Sequence, residues 1–298
     1  MDKWFFIVNS TAGNGKTGKK INDLINLLNQ YEYDFEIELT RYAGHAIKLA
    51  YDAALSGFKT IIAVGGDGTA NEVAAGIMKS NKNKEVNFGI IPEGGGNDFC
   101  RNFNLSSNLE KCLKQLHSGK IIQANVAKIE DHYVLNSLGI GFDAQAAVYA
   151  NKIKWLNGLP RYMLAVLMAM LKFQNFKLRL IIDDEKEIRG KFLLLAVGNG
   201  RFAGGGFQLT PNALVDDNLL DIMLAENVTF MRLFRVLPKA LEGTHEAEPE
   251  VSLHRCHKIE VFSETDLPIY YDGEIPILRD PKHLIIEIQK EKLNLIIP

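Results

Sequence analysis

Over the first 120 residues, short hydrophobic runs alternate with segments in which hydrophobic residues recur at helical spacing. The runs have the length and the aliphatic and aromatic content of β-strands, and they lie at residues 4–8, 35–40, 60–64 and 86–91. The segments between them repeat hydrophobic residues every three or four positions, for example Ile21, Leu24, Ile25 and Leu28. This alternation predicts parallel βαβ units and an α/β fold.

The pattern changes near residue 121, where strand-like runs separated by turn residues take over. These runs lie at residues 121–130, 133–138, 176–183, 190–197, 219–225, 258–263, 268–271 and 283–289. The sequence therefore predicts two domains, an α/β domain over residues 1–121 and a mainly β domain over 122–298, with a ligand cleft between them. It leaves open whether the final segment, KLNLIIP, returns to the first domain.

The composition narrows the class of protein. The 298 residues are 47% hydrophobic and carry a formal net charge of −2, which argues against nucleic-acid binding driven by bulk charge. Three widely spaced cysteines, Cys100, Cys112 and Cys256, are typical of reduced thiols in a cytosolic protein. The sequence shows no signal-peptide pattern and no apolar run long enough to span a membrane, so we expect a soluble cytoplasmic protein.

The most glycine-rich and polar segments of the first half each follow a predicted strand. They are NSTAGNGK at 9–16, GGDGTANE at 65–72 and PEGGGND at 92–98. Loops at the carboxyl ends of parallel strands gather at one edge of the sheet and form the ligand site. Glycines there let the backbone approach an anion, and the N–H groups of the next helix point at a phosphate. The sequence thus predicts a phosphate-binding edge.

Asp67 lies within the second of these loops, where a bare carboxylate would repel a phosphate. A Mg2+ ion, bound directly or through water, would turn that repulsion into a bridge to nucleotide oxygens. The alternative is a structural turn in which Asp67 caps a helix. Thr69, Asn71 and Glu72 follow directly, and two similar loops accompany this one, so we favour the nucleotide site.

Two common nucleotide-binding motifs do not fit the chain. Gly15-Lys16-Thr17 matches the end of a Walker A loop, but Ser10 stands where its first glycine belongs. A dinucleotide-binding fold is also disfavoured, because no G-x-G-x-x-G follows the first strand and the second strand ends on Thr40 instead of an acidic residue.

Seven segments, in order, resemble the bacterial diacylglycerol kinase-like lipid kinases, which share a catalytic domain with diacylglycerol, sphingosine and ceramide kinases and a fold with NAD kinases and phosphofructokinases. The segments are FIVNSTAGNGK, TRYAGHA, GGDGTANEV, PEGGGNDFCR, SLGIGFDA, VGNGRFAGGGFQLTPNALVDDNLLDI and YYDGE. Each one alone is a weak signal, whereas seven in this order are strong. The resemblance implies a Rossmann-like N-terminal α/β domain, a C-terminal β-sandwich and an active site in the cleft between them.

The resemblance further implies that the three loops hold ATP and that Asp67 manages the nucleotide-bound Mg2+. The implied nucleotide-binding residues are Asn9, Ser10, Thr11, Ala12, Gly13, Thr40, Gly65, Gly66, Asp67, Gly68, Thr69, Asn71, Glu72, Gly94, Gly95, Gly96 and Asn97. The family usually has a threonine where this chain has Gly95, with Glu93 two residues before it. The chain therefore lacks a hydroxyl that would contact the nucleotide.

Two further sites follow from the resemblance. The turn Asp272-Gly273-Glu274 lies near the acceptor hydroxyl in the family, with Glu274 the usual candidate for general base and Asp272 its rival. A surface hairpin turn is the alternative for this Asp-Gly pair. The segment LVDDNL matches a structural metal site formed by the Asp217 side chain and the backbone carbonyls of Leu214 and Leu219, for which a solvated loop is the alternative.

The stretch 152–179 gives the main indication of a lipid. It is strongly apolar and helix-like, and its basic residues are Lys152, Lys154, Arg161, Lys172, Lys177 and Arg179. Such a segment is typical of a helix at an anionic membrane surface or beside an acyl-chain pocket. A core helix whose basic ends reach solvent is the alternative.

Together these features predict a kinase that transfers the γ-phosphate of Mg-ATP to a lipid alcohol, with diacylglycerol favoured, and that associates reversibly with a membrane surface. A sphingoid base or ceramide stays open as acceptor, and so does a homodimer. An NAD kinase-like enzyme would share GGDGT but lacks the GNDF and GNGRFAGGG segments. A catalytically inactive nucleotide-binding regulator is disfavoured by the intact Asp67, Asp272 and Glu274.

Overall fold

The computed structural model describes residues 3–298 except 154, 157, 171–174, 227 and 229, and describes only the backbone of 158, 230, 233 and 234. The chain divides into two compact units. The first unit comprises Met1–Val126 with Lys290–Pro298, and the second comprises Ala127–Gln289.

The first unit is built on a mostly parallel sheet. Its first strands are β1 (Trp4–Val8), β2 (Phe35–Leu39), β3 (Thr60–Gly65), β4 (Asn87–Pro92) and β5 (Lys120–Ala124). Its helices are α1 (Ala12–Lys19), α2 (Ile21–Gln30), α3 (His45–Leu55), α4 (Asp67–Lys79), α5 (Asp98–Arg101) and α6 (Leu109–His117). Every residue of β3 is buried because both faces of a central parallel strand are covered. The predicted α/β fold of this half is confirmed.

The second unit is antiparallel. Its strands are β6 (Ala127–Ile129), β7 (His132–Val134), β8 (Ser137–Gly141), β9 (Phe176–Ile182), β10 (Lys186–Gly198), β11 (Leu220–Glu226), β12 (Val251–Cys256), β13 (Lys258–Ser263), β14 (Ile269–Tyr271) and β15 (His283–Ile288). They run in the order β12-β11-β10-β9-β13-β15-β6-β7, and β8 pairs with both β10 and β14. Its helices are α7 (Phe142–Lys152), α8 (Gly158–Met170) and α9 (Phe230–Glu242), followed by a short 3-10 helix at His245–Ala247.

After β15 the chain returns to the first unit as β16 (Leu293–Ile297). The sheet of that unit has the order β2-β1-β3-β4-β16-β5. β16 pairs in parallel with β4 and antiparallel with β5, so it fills the position between them. Leu293 and Leu295 are fully buried, and this burial explains the apolar alternation of KLNLIIP.

Two of the predicted strands were wrong. The predicted strand 121–130 is two strands, β5 and β6, in two different sheets, joined through buried Asn125 and Val126. The predicted strand 133–138 is likewise two strands, β7 and β8. Both errors have the same cause: the connecting residues are buried and lack glycine or proline, so the apolar pattern continues across the break.

Candidate active site

The first loop, after β1, is tied to the third strand's loop through one side chain. Asn9 Oδ1 accepts hydrogen bonds from the Thr11 backbone N–H (3.1 Å) and the Thr11 hydroxyl (2.8 Å). Asn9 Nδ2 donates to Thr69 Oγ1 at 3.0 Å. The loop also includes Ser10 and Ala12, which accept backbone or side-chain hydrogen bonds from Gly18 and Thr17. Asn9 therefore fixes the separation of two predicted nucleotide loops.

The first loop also touches the loop after β4. Gly13 has a φ of +59°, and a Cβ placed there would lie 2.6 Å from the carbonyl oxygen of Glu93. The Thr17 hydroxyl donates to the same oxygen at 3.3 Å. Left-handed backbone and close approach both demand glycine at position 13. The residues Gly13, Asn14 and Gly15 all have positive φ, so the first part of α1 is a loop and only its second part is helical.

The loops after β3 and β4 meet through glycine backbones. A Cβ on Gly94 would lie 2.3 Å from the Cα of Gly66, and the Glu93 N–H donates to the Gly65 carbonyl at 2.8 Å. Asn97 closes the fourth-strand loop, since its Oδ1 accepts from the Gly94 N–H and its Nδ2 donates to the Gly94 carbonyl. Within the first unit, the structure thus brings the three predicted glycine-rich loops together.

Asp67 begins α4 and is half-buried among these loops. Its carboxylate accepts a hydrogen bond from the Phe99 N–H at 3.1 Å, at the start of α5. Burial raises the pKa of this carboxyl, while hydrogen bonds from the backbone of residues 97–99 act in the opposite direction. A Cβ on Gly96 would lie 3.2 Å from Asp67 Oδ2 and 3.1 Å from Asp98 Oδ2, so two carboxylates border the same glycine.

The remaining predicted nucleotide residues lie in α4, in the loop after β4 and directly after β2. Gly68, Thr69 and Asn71 belong to the first turn and a half of α4, and Gly95 lies in the loop after β4. Glu72 accepts from the backbone N–H groups of Gly44 (2.8 Å) and Ala46 (3.1 Å), so it caps α3. Thr40 follows β2, where its N–H donates to the Val8 carbonyl.

One contact in this region escaped prediction. Lys20 Nζ donates to both carboxylate oxygens of Glu93, at 2.8 and 2.7 Å. The Glu93 side chain is only 6% exposed, so the ammonium is its compensating charge. The sole signal in the sequence is the presence of a glutamate inside a glycine-rich loop. This ion pair fastens the first loop's helix to the loop that also carries Gly94–Asn97.

In the second unit, the two carboxylates of the Asp-Gly-Glu turn lie in different environments, one buried and one exposed to solvent. Asp272 is buried with a φ of +44°, and its carboxylate accepts from the N–H groups of Leu135 (2.6 Å), Asn136 (3.1 Å) and Ser137 (2.9 Å). Glu274 is exposed, and its backbone pairs with Tyr271 in both directions. Asp272 thus anchors the turn to the β7–β8 connection, while Glu274 lies on the surface of the second unit.

The predicted metal residues lie in the loop before β11. Asp217 Oδ1 accepts from the Leu219 N–H at 3.0 Å, and its Oδ2 pairs with the Arg255 guanidinium. Leu214 is exposed and Leu219 half-buried. In the described part of the chain, no group of three or more His, Cys, Asp or Glu side chains is placed to hold a metal ion.

An apolar cavity of about 70 Å³ lies within the second unit, between its sheet and its helices. Its lining is almost entirely hydrophobic and includes Tyr162, Val166, Leu194, Phe207, Met223 and Leu237. Asp143, in the first turn of α7, also lines it. Burial raises the pKa of the Asp143 carboxyl to about 7. The cavity is therefore suited to an apolar group, and Asp143, His245 and Glu250 are the acidic and basic residues in its lining.

The apolar basic stretch is partly helix α8. Trp155 is 75% exposed, and Lys152 lies at the exposed end of α7. Arg161 donates to the Ala150 carbonyl at 2.7 Å and to Asn151 Oδ1 at 3.1 Å, so it joins α8 to α7. Lys154 and Lys172 fall outside the described residues. Over the described residues, helices are too short or too polar to cross a bilayer.

Comparison with known proteins agrees with this geometry. Residues 3–129 match the diacylglycerol kinase catalytic domain, and residues 136–296 match the YegS C-terminal NAD kinase beta sandwich-like domain. The chain is 30% identical to the "Probable lipid kinase YegS-like" of Chromohalobacter salexigens over 92% of its own length and 86% of that protein. It is 28% identical to the "Diacylglycerol kinase" of Mycobacterium tuberculosis over 90% of its length and 87% of that protein.

A solved structure supports the same relationship. The crystal structure of a diacylglycerol kinase from Bacillus anthracis superposes with a TM-score of 0.80 at 25% identity, covering 100% of this chain and 97% of that one. The predicted α/β domain followed by a β-sandwich domain is confirmed. On the family matches over both halves and the 30% identity along nearly the whole length, this chain is a lipid kinase of the diacylglycerol kinase family.

Proposed function

We propose that this lipid kinase transfers the γ-phosphate of Mg-ATP to the hydroxyl of diacylglycerol. The observation that carries the nucleotide half of the proposal is the convergence of three glycine-rich loops around Asp67. Their contacts at Gly13 and Gly94 leave backbone instead of side chains at the shared edge. Such a surface can bring N–H groups close to phosphate oxygens.

The residues around Gly96 fit the Mg2+ of a nucleotide. The half-buried Asp67 and the buried Asp98 have carboxylates that border one glycine, and carboxylate oxygens are the ligands that Mg2+ prefers. When bound, the ion would neutralise charge on the transferring phosphate. Asp67 would hold it, and the Phe99 N–H would keep the Asp67 carboxylate in place.

For the acceptor side, we assign Glu274 as the general base and Asp272 as its anchor. A base has to reach the hydroxyl proton as the oxygen attacks phosphorus, and the exposure of Glu274 supports this role because an acceptor can approach its carboxylate. The Asp272 carboxylate accepts hydrogen bonds from three backbone N–H groups. These bonds hold the turn in its left-handed conformation. These contacts of Asp272 support giving the role of base to Glu274.

Two observations favour diacylglycerol as acceptor. The cavity beside α7 and α8 has an almost wholly apolar lining, as an acyl chain requires. The named relatives from Mycobacterium tuberculosis and Bacillus anthracis are diacylglycerol kinases. The deciding experiment supplies labelled ATP with diacylglycerol, sphingosine, ceramide and NAD in parallel. We expect label in the diacylglycerol product, whereas label in the NAD product alone would overturn the lipid assignment for this chain's substrate.

We further propose that residues 152–161 attach the enzyme reversibly to a membrane surface. Trp155 is 75% exposed, and an aromatic ring beside a lysine is typical of an interfacial anchor. Sedimentation with vesicles should increase with anionic lipid, decrease at high salt, and weaken in Trp155→Ala and Lys152→Gln. Met231, also 75% exposed, offers a control, since Met231→Ala should leave vesicle binding unchanged. Vesicle binding that changes neither with the charge of the lipid nor with either substitution would contradict this attachment.

A further inference from the structure

Asp217 in the loop before β11 and Asp221 in β11 share a basic partner, Arg255, from the neighbouring strand. Arg255 on β12 donates from Nε to Asp221 Oδ2 at 3.3 Å, and its other guanidinium nitrogen pairs with Asp217 Oδ2. Asp221 is 9% exposed in its side chain and Asp217 is 20% exposed. The Arg255 side chain is 44% exposed and its guanidinium is permanently charged, so both carboxylates face a cation that the protein itself supplies.

The strand register holds that cation in place. β11 and β12 are antiparallel, and Asp221 lies directly opposite Arg255 in the ladder. Cross-strand partners have their Cβ atoms about 5 Å apart, so the pair follows from the pairing of the two strands. Asp217, four residues before Asp221, then closes onto the same guanidinium through the turn at Asn218, which has a φ of +66°.

The donor set that the family resemblance implies for a metal does not fit this arrangement. A metal bound by Asp217 and the carbonyls of Leu214 and Leu219 would need a carboxylate oxygen of Asp217. One of those oxygens accepts the Leu219 N–H, and the other faces the guanidinium. A divalent cation at the same carboxylate would be repelled by the Arg255 charge.

We propose that the Arg255 guanidinium takes the role of a structural metal ion in this chain and holds residues 214–221 against the β11–β12 pair. The carboxylates of Asp217 and Asp221 bind the arginine in place of a metal. The second unit then folds to full stability without a divalent cation.

Thermal unfolding of the full-length protein, without nucleotide, tests this proposal. Wild type in EDTA and wild type in millimolar MgCl2 should unfold at the same midpoint, within about 1 °C. Arg255→Ala frees two neighbouring carboxylates, so its midpoint should fall in EDTA and recover in part with Mg2+ or Ca2+. Arg255→Lys keeps the charge and should show no response to either metal.

Arg189→Ala is the matched control, because Arg189 is an exposed arginine of the same sheet that pairs with Glu187. It should unfold near the wild-type midpoint and show no metal response. The proposal is overturned if wild type itself loses stability in EDTA and regains it with Mg2+, or if dialysed wild type retains one equivalent of metal. It is also overturned if Arg255→Ala matches Arg189→Ala under all conditions. Should Arg255→Ala fail to fold, the wild-type comparison and the metal content decide alone.

Discussion

At the scale of single residues, glycine position 13 offers a test of how closely the first and fourth-strand loops must approach. Gly13 and Gly15 both have positive φ, but a Cβ on Gly13 would meet the Glu93 carbonyl at 2.6 Å, whereas at Gly15 it would meet no heavy atom of the described chain within 4 Å. Alanine at either site shares the left-handed strain of about 1–2 kcal/mol. We expect Gly13→Ala to lower kcat/KM for ATP far more than Gly15→Ala does. Equal losses would show that the strain, and not the loop contact, matters.

The two carboxylates of the Asp-Gly-Glu turn should respond differently to neutral isosteres. Asp272→Asn weakens hydrogen bonds to three backbone N–H groups, and each bond to a charged group is worth about 1.5–3 kcal/mol, so Tm should fall by several degrees. Glu274→Gln should keep the wild-type Tm and reduce kcat by about 10²–10⁴-fold, with the KM for ATP unchanged. Unfolding scans beside steady-state kinetics separate the two. A Glu274→Gln enzyme with normal kcat would remove Glu274 as the base.

Asp143 should give the stability of the protein a measurable pH dependence. Its pKa rises from 3.8 to about 7 on folding, so the folded state holds the proton more tightly. The stabilisation is complete below the unfolded pKa and is lost as the pH rises through about 7, at about 1.4 kcal/mol per pH unit. Asp143→Asn removes this titrating group and its pH dependence. The Tm of the variant relative to wild type should therefore increase between pH 5 and pH 8, and a constant difference would contradict the assignment.

At the scale of elements, the loop after β4 should accept the threonine that the family usually carries. Gly95 has ordinary backbone geometry, and a Cβ there would meet no heavy atom of the described residues within 4 Å. Gly95→Thr should fold normally and lower the KM for ATP, because it supplies a hydroxyl at the proposed nucleotide site. Gly94→Ala is the contrasting change, since its Cβ would lie 2.3 Å from Gly66, and it should raise that KM. An unchanged KM in Gly95→Thr would place this position outside nucleotide contact.

The elements also show how far sequence reasoning reaches. The buried strands β3 and β4 were predictable because a parallel strand covered on both faces forms a continuous apolar run. The ion pairs were not predictable: Lys20 lies 73 residues from Glu93, and Arg255 lies 38 residues from Asp217. Which charges meet depends on loop packing and strand register, and neither is visible in local periodicity. The anchoring role of Asp272 was hidden for the same reason, because its partners lie about 135 residues earlier.

At the scale of the whole molecule, the sheet of the first unit is completed by the strand that is synthesised last, β16. The ribosome makes every residue of the second unit before it makes β16, yet β16 fills the gap between β4 and β5 in the first sheet. A nascent chain that stops before Leu293 leaves one edge of β4 without its partner, and β4 is the strand that leads into Gly94–Asn97. Chains that stop before Leu293 should therefore bind nucleotide more weakly and be cut by protease faster than chains that include β16, which limited proteolysis with and without ATP can measure.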